Sequence, residues 1–211
     1  MPLSKIKQET FMITIGIELN HVVRNINKQI AKYYIKEYAQ DVDLDEVDTD
    51  DDVLKHFAKF NSKHEMSTFI YESYPYEIFG CAQTMERGLS IDITNWLTDI
   101  SNIEDKDIRI MFYSLHEEAL TIQSTYFFLS KIGTRVRKVV FPQNVEELWD
   151  ECDVIITANN EIFEHEVPNG KKVILINRPF NADVKDKAFL NYDKLTDIIN
   201  DDNFFEVISH E

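Results

Sequence analysis

Five short runs of apolar residues recur along the chain, and each has little of the polar alternation that marks a half-exposed strand. They are rich in β-branched and aromatic residues, which is typical of strands buried on both faces of a parallel sheet. The predicted strands are Phe11–Ile17, Ile108–Tyr113, Arg137–Phe141, Asp153–Thr157 and Lys172–Asn177.

Amphipathic patterns typical of helices fall between the predicted strands. From Val22 to Tyr38 an apolar side chain recurs at every fourth position, which places these side chains in one stripe along a helix. Gly133 and Asn144 have the residue types that end and begin helices. The other predicted helices are Ala119–Lys131, Val145–Trp149 and Asp193–Asn200. Because strands alternate with helices, the predicted fold is α/β, a three-layer sandwich with a mainly parallel, Rossmann-like sheet.

The alternation stops between residues 39 and 106. This segment begins with the run Asp41–Asp52, which carries eight acidic residues, and it contains the aromatic stretch Thr68–Gly80. We predict that 39–106 is a small helical, cap-like insertion, and that 1–38 and 107–211 form the α/β core domain. The helical candidates within the insertion are Val53–Phe60 and Ile91–Ile100.

The acidic run invites a calcium-site hypothesis, because Asp41, Asp43 and Asp45 have the spacing of the first three ligands of an EF-hand loop. The sixth position holds Glu46 instead of the glycine of the sharp turn, and the twelfth holds Asp52 instead of a bidentate glutamate. We therefore interpret the run as a solvated loop or as a docking surface for a basic partner.

Two further sets of residues leave alternatives open. The aromatic stretch Thr68–Gly80 suits the core of the insertion, which we favour slightly, or an interface for a protein partner. His116 and Glu117 suit acid/base chemistry or the start of a helix. The histidines show no metal-binding spacing, and no metal site is predicted.

The charge of the chain limits its partners. The formal net charge is −16, and a surface this acidic repels phosphate backbones and anionic membranes. No nucleic acid and no membrane are therefore expected as partners. The sequence begins without a signal-peptide pattern, and its two cysteines form no ligand motif, so we predict a cytoplasmic protein.

The end of the first predicted strand, Glu18-Leu19-Asn20-His21-Val22, resembles the Asp-x-Asp-Gly-Val motif of the haloacid dehalogenase-like superfamily. The stretch Ile174–Asn181 is similar to the turn after the last core strand in the 5′-nucleotidase branch, which includes deoxyribonucleotidases and phage relatives. Arg178, Pro179 and Asn181 carry this second likeness. The resemblance covers 13–38 and 108–181 and implies a phosphatase scaffold.

The resemblance implies a nucleophile at position 18 and an acid/base group at position 20. Glu18 keeps the charge but places its carboxylate about one ångström further out, and displacements of that size can cost on the order of 10²-fold in rate. Asn20 cannot transfer a proton. His21 stands where the family has a glycine, whose missing Cβ eases the turn.

The remaining motif positions are also altered. Ser114 matches the phosphate-holding hydroxyl. The family lysine would fall near Ser124, and its Mg²⁺-binding acidic pair near Thr157 and Asn159, where no carboxylate stands. Lys131 lies at the wrong end of its predicted helix, so the predicted pocket lacks a counter-charge.

From these losses we predict a pseudo-phosphatase, without catalytic residues or cofactor, that binds protein partners in an assembly role. A phage-encoded protein of the host cytoplasm or the virion is one form of this hypothesis. The alternatives are a divergent Mg²⁺-dependent nucleotidase or phosphatase that uses Glu18, and a nucleotide-binding protein without turnover. The sequence leaves the oligomeric state open.

Overall fold

Six parallel strands form one sheet at the centre of the protein. The structure, a computed structural model, describes residues 12–49, 53–101 and 107–209, and at positions 48, 49, 53 and 54 it describes the backbone alone. The strands are β1 (Met12–Glu18), β2 (Asp107–Tyr113), β3 (Lys138–Val140), β4 (Val154–Thr157), β5 (Lys172–Ile176) and β6 (Leu190–Tyr192). The five predicted strands are confirmed within a few residues, and β6 was not predicted.

The strand order is β3-β2-β1-β4-β5-β6. The chain therefore builds outward from β1 in one direction through β2 and β3, then returns to the other side of β1 for the remaining strands. Ligands of open α/β sheets bind in the crevice at the carboxyl ends of strands where the order reverses. In this sheet that crevice lies between β1 and β4, which are paired from Ile15–Val154 to Ile17–Ile156.

Eight α-helices lie in the described ranges. They are α1 (Ile26–Tyr38), α2 (Leu44–Thr49), α3 (Lys63–Ser67), α4 (Leu89–Ser101), α5 (Ala119–Ile132), α6 (Val145–Glu151), α7 (Leu195–Ile199) and α8 (Phe204–Ser209). Gly133 ends α5 with φ of 68°, and the Asn144 side chain accepts a hydrogen bond from the Glu147 N–H at the start of α6, as predicted. The first helix starts at Ile26 rather than Val22, because Asn25 caps it and the preceding residues form a loop.

Residues between α1 and β2 are mainly helical in the described part. Short 3₁₀ and π-helical segments at Val53–His56, Thr68–Ser73 and Tyr76–Gly80 accompany α2, α3 and α4. The aromatic stretch contributes both to the core and to the surface. Phe69 and Phe79 are buried, while Tyr76 is exposed and its ring contacts the half-exposed Phe127 of α5. In the acidic run, Asp43 accepts hydrogen bonds from two backbone N–H groups at the start of α2; positions 50–52 lie outside the described residues.

The two faces of the sheet bury different side chains, because successive residues of a strand point to opposite faces. Ile15 and Ile17 of β1 belong to a core that α1, α4, α5, α7, α8 and the 39–101 segment cover. The second core, on the other face, includes Tyr113 and α6. The predicted three-layer α/β architecture is confirmed. Side chains of the insertion belong to the first core, and the division into domains stays a prediction.

Candidate active site

A crevice opens at the carboxyl ends of β1 and β4, where the strand order reverses. It holds a cavity of about 470 Å³. The side chains that line it come from the loops after β1, β2 and β4 and from the 39–101 segment, and they include Glu18, Asn20, His21, Tyr71, His116 and Asn159. Three of the predicted pocket residues, Glu18, Asn20 and Asn159, therefore do line one cavity.

Glu18 is the last residue of β1 and is only 3 % exposed. Its Oε2 accepts hydrogen bonds from the Thr157 hydroxyl at 2.7 Å and from the Ala158 N–H at 2.9 Å. Burial raises the pKa of Glu18 from 4.5 to about 7, because desolvation outweighs these hydrogen bonds, and the negative charge of Glu161 adds to the increase. Glu18 can therefore exist in both protonation states near neutral pH.

The loop between β1 and α1 turns sharply at His21, whose φ is 63°. This is the left-handed region that favours glycine, the residue type that the resemblance implies at this position, so the His21 side chain has to tolerate it. Arg178 donates to the His21 carbonyl oxygen from Nε at 3.1 Å and from Nη2 at 2.8 Å. Burial, followed by the charges of Arg178 and Arg24, lowers the pKa of His21 to about 4.

A cation that the sequence did not reveal lies beneath this loop. Arg24 is 0 % exposed and forms an ion pair with the 1 % exposed Glu117. Its Nη1 donates to the Thr125 hydroxyl at 2.7 Å, and that hydroxyl donates to Glu117 at 2.6 Å. Thr125 lies beside Ser124, where the resemblance placed the missing lysine, so a cation from the loop after β1 lies near that position and is paired with Glu117. Local sequence patterns carry no signal for a pair of residues 93 positions apart.

The same guanidinium orients the polar groups above it. Arg24 Nε donates to Asn20 Oδ1 at 2.8 Å, and Asn20 Nδ2 donates to the Ser114 hydroxyl at 3.2 Å. Ser114 is thus joined to the cavity wall through Asn20. Ser124 is held differently, since its hydroxyl donates to the Leu120 carbonyl oxygen within α5 and it does not line the cavity.

The turn after β5 forms hydrogen bonds to the loops after β1 and β4. Pro179 begins a 3₁₀ segment, Pro179–Lys187, and the preceding Arg178 reaches the loop after β1. The buried Asn181 Nδ2 donates to the carbonyl oxygens of Ala158 and Ile176, each at 3.0 Å. This turn therefore holds both loops that carry Glu18 and its donors.

His116 and Glu161 form a second side-chain pair, at the mouth of the crevice. Nε2 of His116 lies 2.9 Å from both carboxylate oxygens of Glu161, and the two side chains are 49 % and 32 % exposed. His116 has φ of 59° and precedes α5 by several residues, so the interpretation as a helix start does not hold.

One solved structure with this fold comes from Burkholderia xenovorans LB400 and is described provisionally as a haloacid dehalogenase-like hydrolase. The likeness has a TM-score of 0.53 at 10 % sequence identity and covers 93 % of this chain and 98 % of that one. No family model and no curated protein matches this sequence. The protein thus has the fold of a haloacid dehalogenase-like hydrolase, as the resemblance implied.

This likeness corrects one prediction. The altered motifs favoured a protein that is not an enzyme, a pseudo-phosphatase. The comparison contradicts that prediction, because the architecture is shared over nearly the whole chain with a structure described provisionally as a hydrolase. Each altered motif residue was interpreted as a loss, although His116, which belongs to none of these motifs, lines the same crevice and the buried Arg24 holds Asn20 from beneath it.

The residues of the crevice do not fit the Mg²⁺ ion that the resemblance implies. Mg²⁺ prefers carboxylate oxygens in an octahedral arrangement, whereas Asn20, Thr157 and Asn159 offer neutral groups and Glu18 already accepts two hydrogen bonds. Within the described ranges, no group of three or more His, Cys, Asp or Glu side chains could hold a metal ion.

The same ranges contain no helix long and apolar enough to cross a membrane.

Proposed function

We propose that this protein is a hydrolase of small phosphate esters in which Glu18 is the reacting carboxylate. The observation that carries this proposal is the position of Glu18: a buried carboxylate at the strand-order reversal, fixed through Oε2 and open to a cavity of about 470 Å³. Carboxylates in such positions act as nucleophiles in covalent catalysis.

The reaction follows from the two oxygens of the carboxylate. The hydrogen bonds from Thr157 and Ala158 converge on Oε2, so Oε1 is the oxygen that can meet a substrate. Oε1 attacks phosphorus, the bond from phosphorus to the ester oxygen breaks, and an acyl phosphate forms on Glu18. Water then attacks phosphorus, the bond to Glu18 breaks, and phosphate and the free carboxylate are released.

The lining of the cavity limits the charge of the substrate. It contains the carboxylates of Glu18 and Glu164 together with several asparagine amides. Arg24, the cation beneath the loop, is already neutralised by Glu117. A substrate with one negative charge is therefore repelled less than a dianion, and we expect phosphodiesters or singly protonated monoesters to react best.

The test is release of phosphate or p-nitrophenol from aryl phosphate monoesters and diesters and from nucleoside monophosphates. Each substrate is assayed from pH 5 to 9, both with Mg²⁺ and with a chelator. Glu18→Gln keeps the size of the side chain and removes the nucleophile, so we expect it to lower kcat by on the order of 10³-fold or more.

Glu164→Gln is the matched control, because it makes the same chemical change on an exposed side chain that lines the same cavity. We expect it to retain activity within about tenfold, since an exposed charge is screened by solvent. Equal activity of Glu18→Gln and the wild type would overturn the proposal.

A further inference from the structure

A bridge crosses the crevice directly beside Glu18. His116 follows β2, Glu161 lies in the 3₁₀ segment Asn160–Glu164 after β4, and β1 lies between these two strands in the sheet. The contact of 2.9 Å between them therefore passes across the carboxyl end of β1, where Glu18 is the last residue. His116 and Glu18 both line the cavity, and the charge of Glu161 acts on Glu18.

The proposed hydrolysis needs a proton donor that the other groups in the crevice do not supply. An alkoxide leaving group has to be protonated as the ester bond breaks. Asn20, which lies where the resemblance expects an acid, has no transferable proton. His21 has its pKa lowered to about 4 and is neutral in the pH range of interest, and its carbonyl, not its ring, is held by Arg178.

His116 has the features that this role requires. Its side chain is 49 % exposed and lines the cavity, so both substrate and water can reach it. Its Nε2 lies 2.9 Å from both carboxylate oxygens of Glu161, and this contact fixes the orientation of the ring. The other titratable groups around the same cavity are Glu164, Glu18, His21 and Tyr71.

We propose that His116 is the general acid and base of the hydrolysis and that Glu161 is its positioning residue. This inference rests on the proposed function. As Glu18 attacks phosphorus, the His116 imidazolium gives its proton to the departing ester oxygen, and an alcohol leaves. The neutral imidazole then takes a proton from water as that water attacks the acyl phosphate, which releases phosphate, restores the Glu18 carboxylate and returns the imidazolium.

The test compares two phosphate monoesters whose leaving groups differ in their need for a proton. An aryl ester such as p-nitrophenyl phosphate leaves as a stabilised phenolate, whereas an alkyl ester such as glycerol 2-phosphate leaves as an alkoxide that has to be protonated. We expect His116→Gln to lower kcat for the alkyl ester by about 10²- to 10⁴-fold. The loss for the aryl ester is expected to be much smaller, because its phenolate can leave without a proton.

His165→Gln is the matched control, because His165 also pairs with a glutamate, Glu146 at 3.1 Å, on an exposed part of the chain. It is expected to leave both rates unchanged, while Glu161→Gln is expected to reduce the alkyl rate less than His116→Gln does.

The outcomes separate the two proposals. An equal loss for both esters in His116→Gln, with Glu18→Gln inactive, would overturn the acid role and leave the proposed function standing. A wild-type protein that hydrolyses neither ester would overturn the proposed function and the acid role with it.

Discussion

Two side-chain pairs start from adjacent residues and face opposite environments. Glu117 turns into the protein, where it meets Arg24 with both side chains at most 1 % exposed. His116 turns outward to Glu161 at the mouth of the crevice, where both side chains remain partly exposed. One short loop after β2 thus supplies a carboxylate to the interior and an imidazole to the cavity.

The difference follows from solvation. A buried charge is stabilised only if a partner replaces the water it has lost, so Arg24 is surrounded by Glu117, Thr125, Asn20 and the rings of Phe79 and Phe128. A partly exposed pair gains little stability but keeps access to substrate and water. We infer that the first pair holds the loop after β1 in place and that the second is available for chemistry.

The largest expected effect comes from breaking the buried pair. Glu117→Gln leaves the Arg24 guanidinium buried without a negative partner, and such changes cost about 3–5 kcal/mol. Denaturant unfolding at neutral pH measures this loss. The double variant Arg24→Met with Glu117→Leu removes both charges and is expected to be more stable than Glu117→Gln alone. A cost below about 1 kcal/mol for Glu117→Gln would contradict the structural role of the pair.

Glu18 extends the comparison, because it is buried like Glu117 but has different partners. Glu117 is paired with the cation Arg24, whereas Glu18 accepts hydrogen bonds from a hydroxyl and a backbone N–H. Its folded-state pKa of about 7 lies above 4.5, so its ionisation lowers stability as pH rises from about 4.5 to about 7. Above that range the full cost is present, and a shift of this size corresponds to about 3 kcal/mol.

Glu18→Gln is therefore expected to stabilise the fold by up to about 3 kcal/mol at pH 8, with the gain shrinking towards zero near pH 5. Thermal or denaturant unfolding at several pH values gives the comparison with the wild type. A variant that is less stable than the wild type at pH 8 would mean that Glu18 is not held as a strained, partly protonated acid.

The smallest effect is expected at the exposed pair. Glu161→Gln is predicted to change the free energy of unfolding by less than about 1 kcal/mol, because partly exposed pairs contribute little. Glu146→Gln, which breaks the comparable His165 contact, is the control. A loss above about 2 kcal/mol in Glu161→Gln alone would make this pair structural and remove the contrast between the two pairs.

The sheet could be predicted from the sequence, because strands buried on both faces are continuous apolar runs. The edge strand Leu190–Tyr192 was not predicted, because it has only three residues, all of intermediate burial, and so forms no continuous apolar run. The helix start at Ile26 was misplaced because Val22 is buried in a loop that continues the apolar stripe.

Only those residues of the candidate site that lie at the end of a predicted strand could be predicted from the sequence. Glu18 and Thr157 follow apolar runs, and parallel strands bring such ends together. Arg24 with Glu117, and His116 with Glu161, join residues whose separation no local pattern encodes. The nucleotidase branch, the phage origin and the protein partners stay predictions.

The hydrogen bond between Glu18 and Thr157 joins residues 139 positions apart. The central strand β1 is synthesised before any other described strand, yet its partner on one side, β4, follows only after that long interval. At roughly 5–20 residues per second, a ribosome takes about 7–28 s to make this stretch. During that time one edge of β1 has no native neighbour, and the hydrogen bonds that hold Glu18 from the β4 side cannot form.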